Sequence, residues 1–165
     1  MYFQYLAARK GGPEPFRNAC DGSGSFEEEC FVYGGEKIQE WVNKGYFPDG
    51  FNSMSEDDGQ AKQLFYTEAS AMYLTGSWNT AVFKTDSEEG GSDFYIKVGW
   101  FGFPAVDGWS ADVSILCGTL GQYLNPSVAN AHLDGNQEVF GLTITPKEAN
   151  KKMQEAQAEV LSGEK

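Results

Sequence analysis

Apolar residues recur three and four apart at both ends of the chain and gather into short unbroken runs in its middle. This pattern predicts helices alternating with buried strands. Tyr2 to Lys10 reads as a short helix stopped by Gly11-Gly12-Pro13. Ser25-Phe26-Glu27-Glu28 has the spacing of a capping box, and the helix it predicts carries Phe31, Ile38, Trp41 and Val42 on one face. Gly34 and Gly35 lie within that face and lower helix stability, so a neighbouring backbone is expected to approach there. The helix is expected to end at Gly45, after Lys44, whose charge suits the end of the helix dipole.

Residues 45–52 form a turn-rich loop that carries three aromatics. Ser55-Glu56-Asp57-Asp58 opens another helix, with Ala61, Leu64 and Phe65 inward. Ala71 to Thr75 is apolar on both faces and predicts a central strand ending at Gly76-Ser77-Trp78-Asn79. Asp86 to Asp93 reads as a solvated acidic loop, and Phe94 to Phe103 as the longest strand, closed by Pro104. Val113 to Cys117 and Thr119 to Leu124 predict two further strands around Gly118. Thr145 caps the last helix, with Pro146 in its first position, Glu148 completing the box and Ala149, Met153, Ala156 and Val160 as its stripe. The expected fold is α/β, with a small central sheet flanked by helices.

At 165 residues the chain suits one domain with a sizeable core, and a net charge of -12 excludes a nucleic-acid backbone as partner. No run of apolar residues is long enough to span a bilayer. The first ten residues lack signal-peptide order, because their basic residues follow the apolar stretch. Taken literally the chain is cytosolic; as a piece of a longer chain, its compartment is not readable from this end. Cys20, Cys30 and Cys117 have no metal-ligand spacing. Cys20 and Cys30 flank a Gly/Ser loop and either pair or stay as free buried thiols.

Catalytic signals are weak. The single histidine, His132, lies in a polar stretch and reads as a surface residue, and no Gly-x-Ser-x-Gly elbow surrounds any serine. Asp21-Gly22-Ser23-Gly24-Ser25 has neither the strand nor the lysine of a phosphate loop. As a calcium loop it fails at Phe26, where glycine is needed, and at Val32, where glutamate is needed. No spacing selects a catalytic pair among the 24 acids, and neither a cofactor nor enzymatic activity is expected. Aromatics, at 15% of the chain, pack a core or offer flat surfaces to a ligand. Trp78 directly follows a predicted strand, beside Ser77 and Asn79. Ligands of open α/β sheets sit outside the carboxyl ends of strands. There an indole suits the C–H face of a sugar, with hydroxyl and amide groups at the rim; the alternative is that Trp78 fills core space.

Lys37 to Phe47, followed by Lys62 to Trp78 with its Ala71-Met72…Gly76-Ser77-Trp78 element, resembles the extracellular solute-binding proteins of ABC sugar importers. Val98-Gly99-Trp100-Phe101-Gly102-Phe103-Pro104 matches a later element of that family, and Arg9-Lys10-Gly11-Gly12 and Thr145-Pro146-Lys147-Glu148-Ala149 resemble the start and end of its C-terminal lobe. The family's proteins are two-lobed and longer. Here its glycine before Ala69-Ser70 is replaced by Glu68 or a neighbour, and the stretch after Leu124-Asn125-Pro126-Ser127 is shortened.

The resemblance implies that residues 1–165 form a single periplasmic-binding-protein-like lobe, with 105–137 a remnant of the hinge and other-lobe segment and with Pro104 and Ala105 at the hinge. It implies that Trp78 stacks on a mono- or oligosaccharide, with Ser77 and Asn79 beside it and with Asp112 and Gly118 in the segment lining the cleft. Arg9 is a hydroxyl-binding group or a surface ion pair. The implied partners are the sugar, a transporter permease and the missing N-terminal lobe. The implied location is extracellular or periplasmic, through a lipid anchor of the full-length protein. A glycosidase using two carboxylates, or an interaction module exposing a severed interface, are the competing readings.

Overall fold

A computed structural model describes residues 1–56, 58–111 and 124–163. Among them are eight α-helices, one short 3-10 helix (Phe51–Ser53) and no strand: α1 (Tyr2–Gly11), α2 (Glu14–Asp21), α3 (Glu29–Asn43), α4 (Gln60–Tyr66), α5 (Asn79–Glu89), α6 (Phe94–Lys97), α7 (Pro126–Phe140) and α8 (Pro146–Ser162). The described chain divides into two compact units, one of residues 1–47 with 105–165 and one of residues 48–104. No helix of the described residues is long and apolar enough to cross a membrane.

The expected α/β fold with a central sheet is overturned, because the described residues are helical. A strand needs a neighbour to take its backbone hydrogen bonds. Residues 71–75 have none: Met72 is 68% exposed, and its carbonyl accepts from the Ser70 hydroxyl at 2.8 Å. The run from Phe94 begins instead as the helical turn α6, where the Ser92 hydroxyl accepts from Phe94 N at 3.0 Å. It then continues without pairing, leaving Trp100 and Phe101 exposed. The isolated antiparallel bridge Val106–Trp109 joins the two sides of a tight turn with Asp107 and Gly108 at positive φ. Residues 86–89 belong to α5, not to an acidic loop. The strands expected at 113–117 and 119–124 lie outside the described residues, apart from Leu124, which is in a bend.

The first unit is built on α3, which packs against α1, α7 and α8. Phe31 is its hub, fully buried and in contact with the rings of Phe3, Phe16 and Phe26. Both glycines of α3 lie where another element comes close, as the sequence predicts. A Cβ at position 34 would stand 3.1 Å from the Phe3 carbonyl oxygen of α1, and one at position 35 would stand 2.6 Å from Pro146 Cβ of α8. Polar side chains tie the turns down: Gln39 Nε2 donates to Ile144 O at 2.7 Å, and Gln157 Nε2 to Cys20 O at 3.1 Å. Ser25 does not cap α3, which begins at Glu29; its hydroxyl accepts from Glu27 N and donates to Gln154 Oε1. Ser55 likewise closes a turn before α4, its hydroxyl accepting from Asp58 N at 3.1 Å.

The box on α8 forms as expected. Thr145 Oγ1 accepts from Glu148 N at 3.3 Å, and the Glu148 carboxylate accepts from Thr145 N at 2.7 Å. Thr145→Ala is therefore expected to lower stability by about 1 kcal/mol in urea titration, while Thr145→Ser should retain most of it.

The second unit gathers an aromatic cluster around Phe83 on α5, which is 1% exposed. Phe65 and Tyr66 from α4, Phe94 from α6, and Tyr73 and Trp100 from the connecting segments all touch it. Much of the chain's aromatic content is thus core.

Candidate functional site

In the second unit, Ser77 and Trp78 stand at the N-terminal end of α5, both exposed, and the indole of Trp78 is 60% exposed. Trp78 therefore does not fill the core. The six-membered ring of its indole lies against Gly76, where an added Cβ would overlap ring atoms Cε3, Cζ3 and Cη2. Asn79 turns inward, is 4% exposed, and donates its side-chain amide to the Thr75 hydroxyl. Backbone bonds from Asn79 N to Gly76 O and from Thr80 N to Ser77 O, both 3.1 Å, complete the turn.

Two tyrosines brace the same unit from outside the turn. Tyr66 donates to Asp86 at 2.5 Å and Tyr73 donates to the Glu56 carboxylate. Burial, reinforced by these carboxylates, raises both phenols well above their usual range, so they remain donors.

A surface groove of about 340 Å³ opens elsewhere in this unit, over Phe65 and Phe94, with Glu68, Ser70 and Lys97 on its rim. Lys97 pairs with Asp93 at 3.1 Å and with Glu68 at 3.5 Å. Glu68 holds a φ of 60°, the left-handed region that favours glycine. This is where the resemblance places a glycine.

Of the remaining predicted site residues only Arg9 is described. Arg9 belongs to the first unit, where its guanidinium donates to Ala111 O at 2.7 Å while its own carbonyl accepts from Ala111 N at 3.2 Å. It thereby fastens the segment after the 106–109 turn onto α1. Asp112 and Gly118 lie outside the described residues. In the same unit Lys37 on α3, 9% exposed, pairs with Asp107 at 2.6 Å and with Glu40.

His132 is half-buried rather than exposed on the surface. On α7 it packs beside Phe3, with ring centroids 5.4 Å apart, and lines a cavity of about 10 Å³, far too small for a sugar. Burial, and secondarily the Met1 amino group, push its pKa down to about 4. Cys20 and Cys30 are free thiols, and burial raises both, Cys30 to about 11, so neither is an activated nucleophile. Asp21-Gly22-Ser23 forms a closed turn, with Asp21 Oδ1 accepting from Ser23 N at 2.9 Å. Among the described residues no group of three His, Cys, Asp or Glu could hold a metal ion.

No protein-family model and no curated protein matches the chain. One solved structure superposes on 93% of it with a TM-score of 0.67 and 21% identity. It comes from a study of xylan utilization by the thermophilic bacterium Caldanaerobius polysaccharolyticus. The likeness is one of fold. This chain spans 57% of that chain's length.

A helix start and a tight turn have signals in the sequence that the reading above does not use. Asn125-Pro126 is an N-cap followed by proline in the first helical position, and Asn125 Oδ1 accepts from Ser127 N at 3.0 Å to start α7. Asp107-Gly108 is the dipeptide that tight two-residue turns favour.

Proposed function

We propose that this chain is the carbohydrate-binding component of an ABC-type importer, holding an extracellular mono- or oligosaccharide by aromatic stacking and hydrogen bonds and breaking no bond in it. The observation that carries this reading is the Trp78 indole, 60% exposed at the start of α5 and backed by Gly76, with the exposed Ser77 beside it. A seated aromatic face with a hydroxyl at its rim matches a ring that is apolar on its C–H face and polar around its edge. The structural neighbour from a study of xylan utilization makes xylan-derived oligosaccharides the first ligands to test. In this reading a second lobe and a permease are the protein partners. The site works outside the cell or in the periplasm, with the full-length protein held at the membrane by a lipid anchor.

Titration with a panel of sugars, followed by tryptophan fluorescence, tests the reading. Saturable binding in the millimolar range, worth about -4 kcal/mol, is expected for a site closed from one side. Trp78→Ala is expected to abolish it. Binding that survives this substitution unchanged removes the stacking role.

A second reading, an interaction module without ligand, draws on the apolar side chains that the second unit leaves in solvent: Met72 at 68%, Ile96 at 81% and Phe101 at 72% exposed. Self-association that rises with concentration and ignores every sugar would favour it.

A further inference from the structure

We propose that Gly76 and Asn79 are positioning residues that seat the Trp78 indole as a fixed platform, and that Asn79 serves the ligand through Trp78 instead of touching it. The proposal rests on the stacking reading above and assigns roles within that site. The requirement at position 76 is one of space. The six-membered ring of the indole lies so close to the Gly76 backbone that any Cβ there would overlap Cε3, Cζ3 and Cη2. Every other residue at this position must push the ring away.

Asn79 closes the turn that carries this seat. It is 4% exposed and its side-chain amide is engaged with the Thr75 hydroxyl, closing the turn across Gly76. Its backbone N–H is bonded to Gly76 O at 3.1 Å. An amide so placed does not face a sugar hydroxyl, whereas Ser77 and the outer part of the indole do face solvent. An exposed aromatic side chain that must first be ordered by its ligand loses rotamer freedom on binding, and one already seated on backbone loses less. The Thr75-Gly76-Ser77-Trp78-Asn79 sequence therefore builds a preorganised stacking face. Glycine supplies the close approach, and the Thr75–Asn79 bond fixes the turn around it.

A double-mutant cycle tests this on the full chain. Gly76→Ala is made in the natural background and in Trp78→Ala, with far-UV circular dichroism as the control for folding. The signals of the Trp78 indole, its near-UV dichroism and its iodide quenching, are isolated by subtracting a Trp78→Phe variant. Gly76→Ala is expected to change the near-UV signal, raise the quenching and lower the melting temperature only where Trp78 is present. Thr75→Val, which removes the acceptor but keeps the turn backbone, is expected to shift the same signals in the same direction by less.

With β-1,4-xylo-oligosaccharides as the probe, Gly76→Ala is expected to weaken affinity at least tenfold. An unchanged indole signature in Gly76→Ala, or an equal loss of melting temperature in both backgrounds, overturns the proposal. If the indole signature moves while no variant, Trp78→Ala included, alters binding, the seat is upheld and the stacking reading alone falls.

Discussion

Acidification from pH 7 to pH 4 is expected to remove about 3 kcal/mol of stability through one imidazole. In the unfolded chain His132 takes up its proton near pH 6.5, whereas in the native fold burial between α7 and α1 postpones this to about pH 4. Between those values the unfolded state binds more protons, so stability climbs with pH across the window and is flat with respect to this group on either side. Among the described residues no carboxylate offsets the charge of the ring. It packs beside Phe3, and Asn136 Nδ2 lies 3.1 Å from Nε2.

Urea titrations at half-unit steps from pH 7.5 to pH 4.5 measure the slope, and His132→Gln is expected to flatten it. Glu40 and Glu148 have carboxyl groups lowered by hydrogen bonds, Glu40 to about 2 through Lys37 and Lys44 and Glu148 through Thr145. Their stabilising contributions are fully present well above the ordinary carboxylate value of 4.5 and are lost as pH falls through it, so above about pH 5.5 the slope reports the histidine rather than these carboxylates. A midpoint that does not move between pH 7 and pH 5 contradicts the buried imidazole.

Gly35→Ala is expected to destabilise the protein by about 2 kcal/mol, although alanine is the better helix former by about 1 kcal/mol. The added methyl would meet Pro146 Cβ at 2.6 Å and Cγ at 3.0 Å. Proline in the first position of a capped helix cannot rotate out of the way, so α3 and α8 must part. Pro146→Gly removes the opposing atoms, and in that background the effect of Gly35→Ala is expected to vanish or reverse. Equal effects in both backgrounds would show that the helices do not meet at this point. Thermal or urea unfolding reads either result.

The parts of the fold legible in the sequence are those fixed by local chemistry. Thr145, Pro146 and Glu148 specify the start of α8 whatever surrounds it. Gly34 and Gly35 within an apolar stripe signal a close neighbour, because a helix keeps two adjacent glycines only where space demands it. What failed depended on partners. The run at 71–75 is rich in apolar residues, but nothing local says whether another strand lies beside it, and here Ser70 and Asn79 take its polar groups instead.

His132 lies in a polar stretch of sequence, which suggests a surface position. Its relation to Val128, Gly135 and Val139, four, three and seven residues away, places it on the buried stripe of α7. α5 is hard to see for the opposite reason. Its buried residues, Asn79, Phe83 and Ser87, have helical spacing, but only one of them is strongly apolar. At the candidate site, Trp78 is exposed as the sequence reading expects, but it stands at the start of a helix and not at the end of a strand. The sequence reading misjudged its company, since Asn79 points inward and Arg9 fastens a different segment.

The unit around α3 has a consequence for how the chain matures on the ribosome. Residues 1–47 supply α1 to α3, which bury part of one another, but the rest of the surface that covers α3 comes from α7 and α8, roughly a hundred residues later. At a synthesis rate of about 5–20 residues per second, Gly35 and the part of α3 that faces α8 must wait on the order of 5–20 s for their partners. Nascent chains halted before residue 126 should consequently display this helical hairpin to chaperones and proteases, and become resistant only after α8 has emerged.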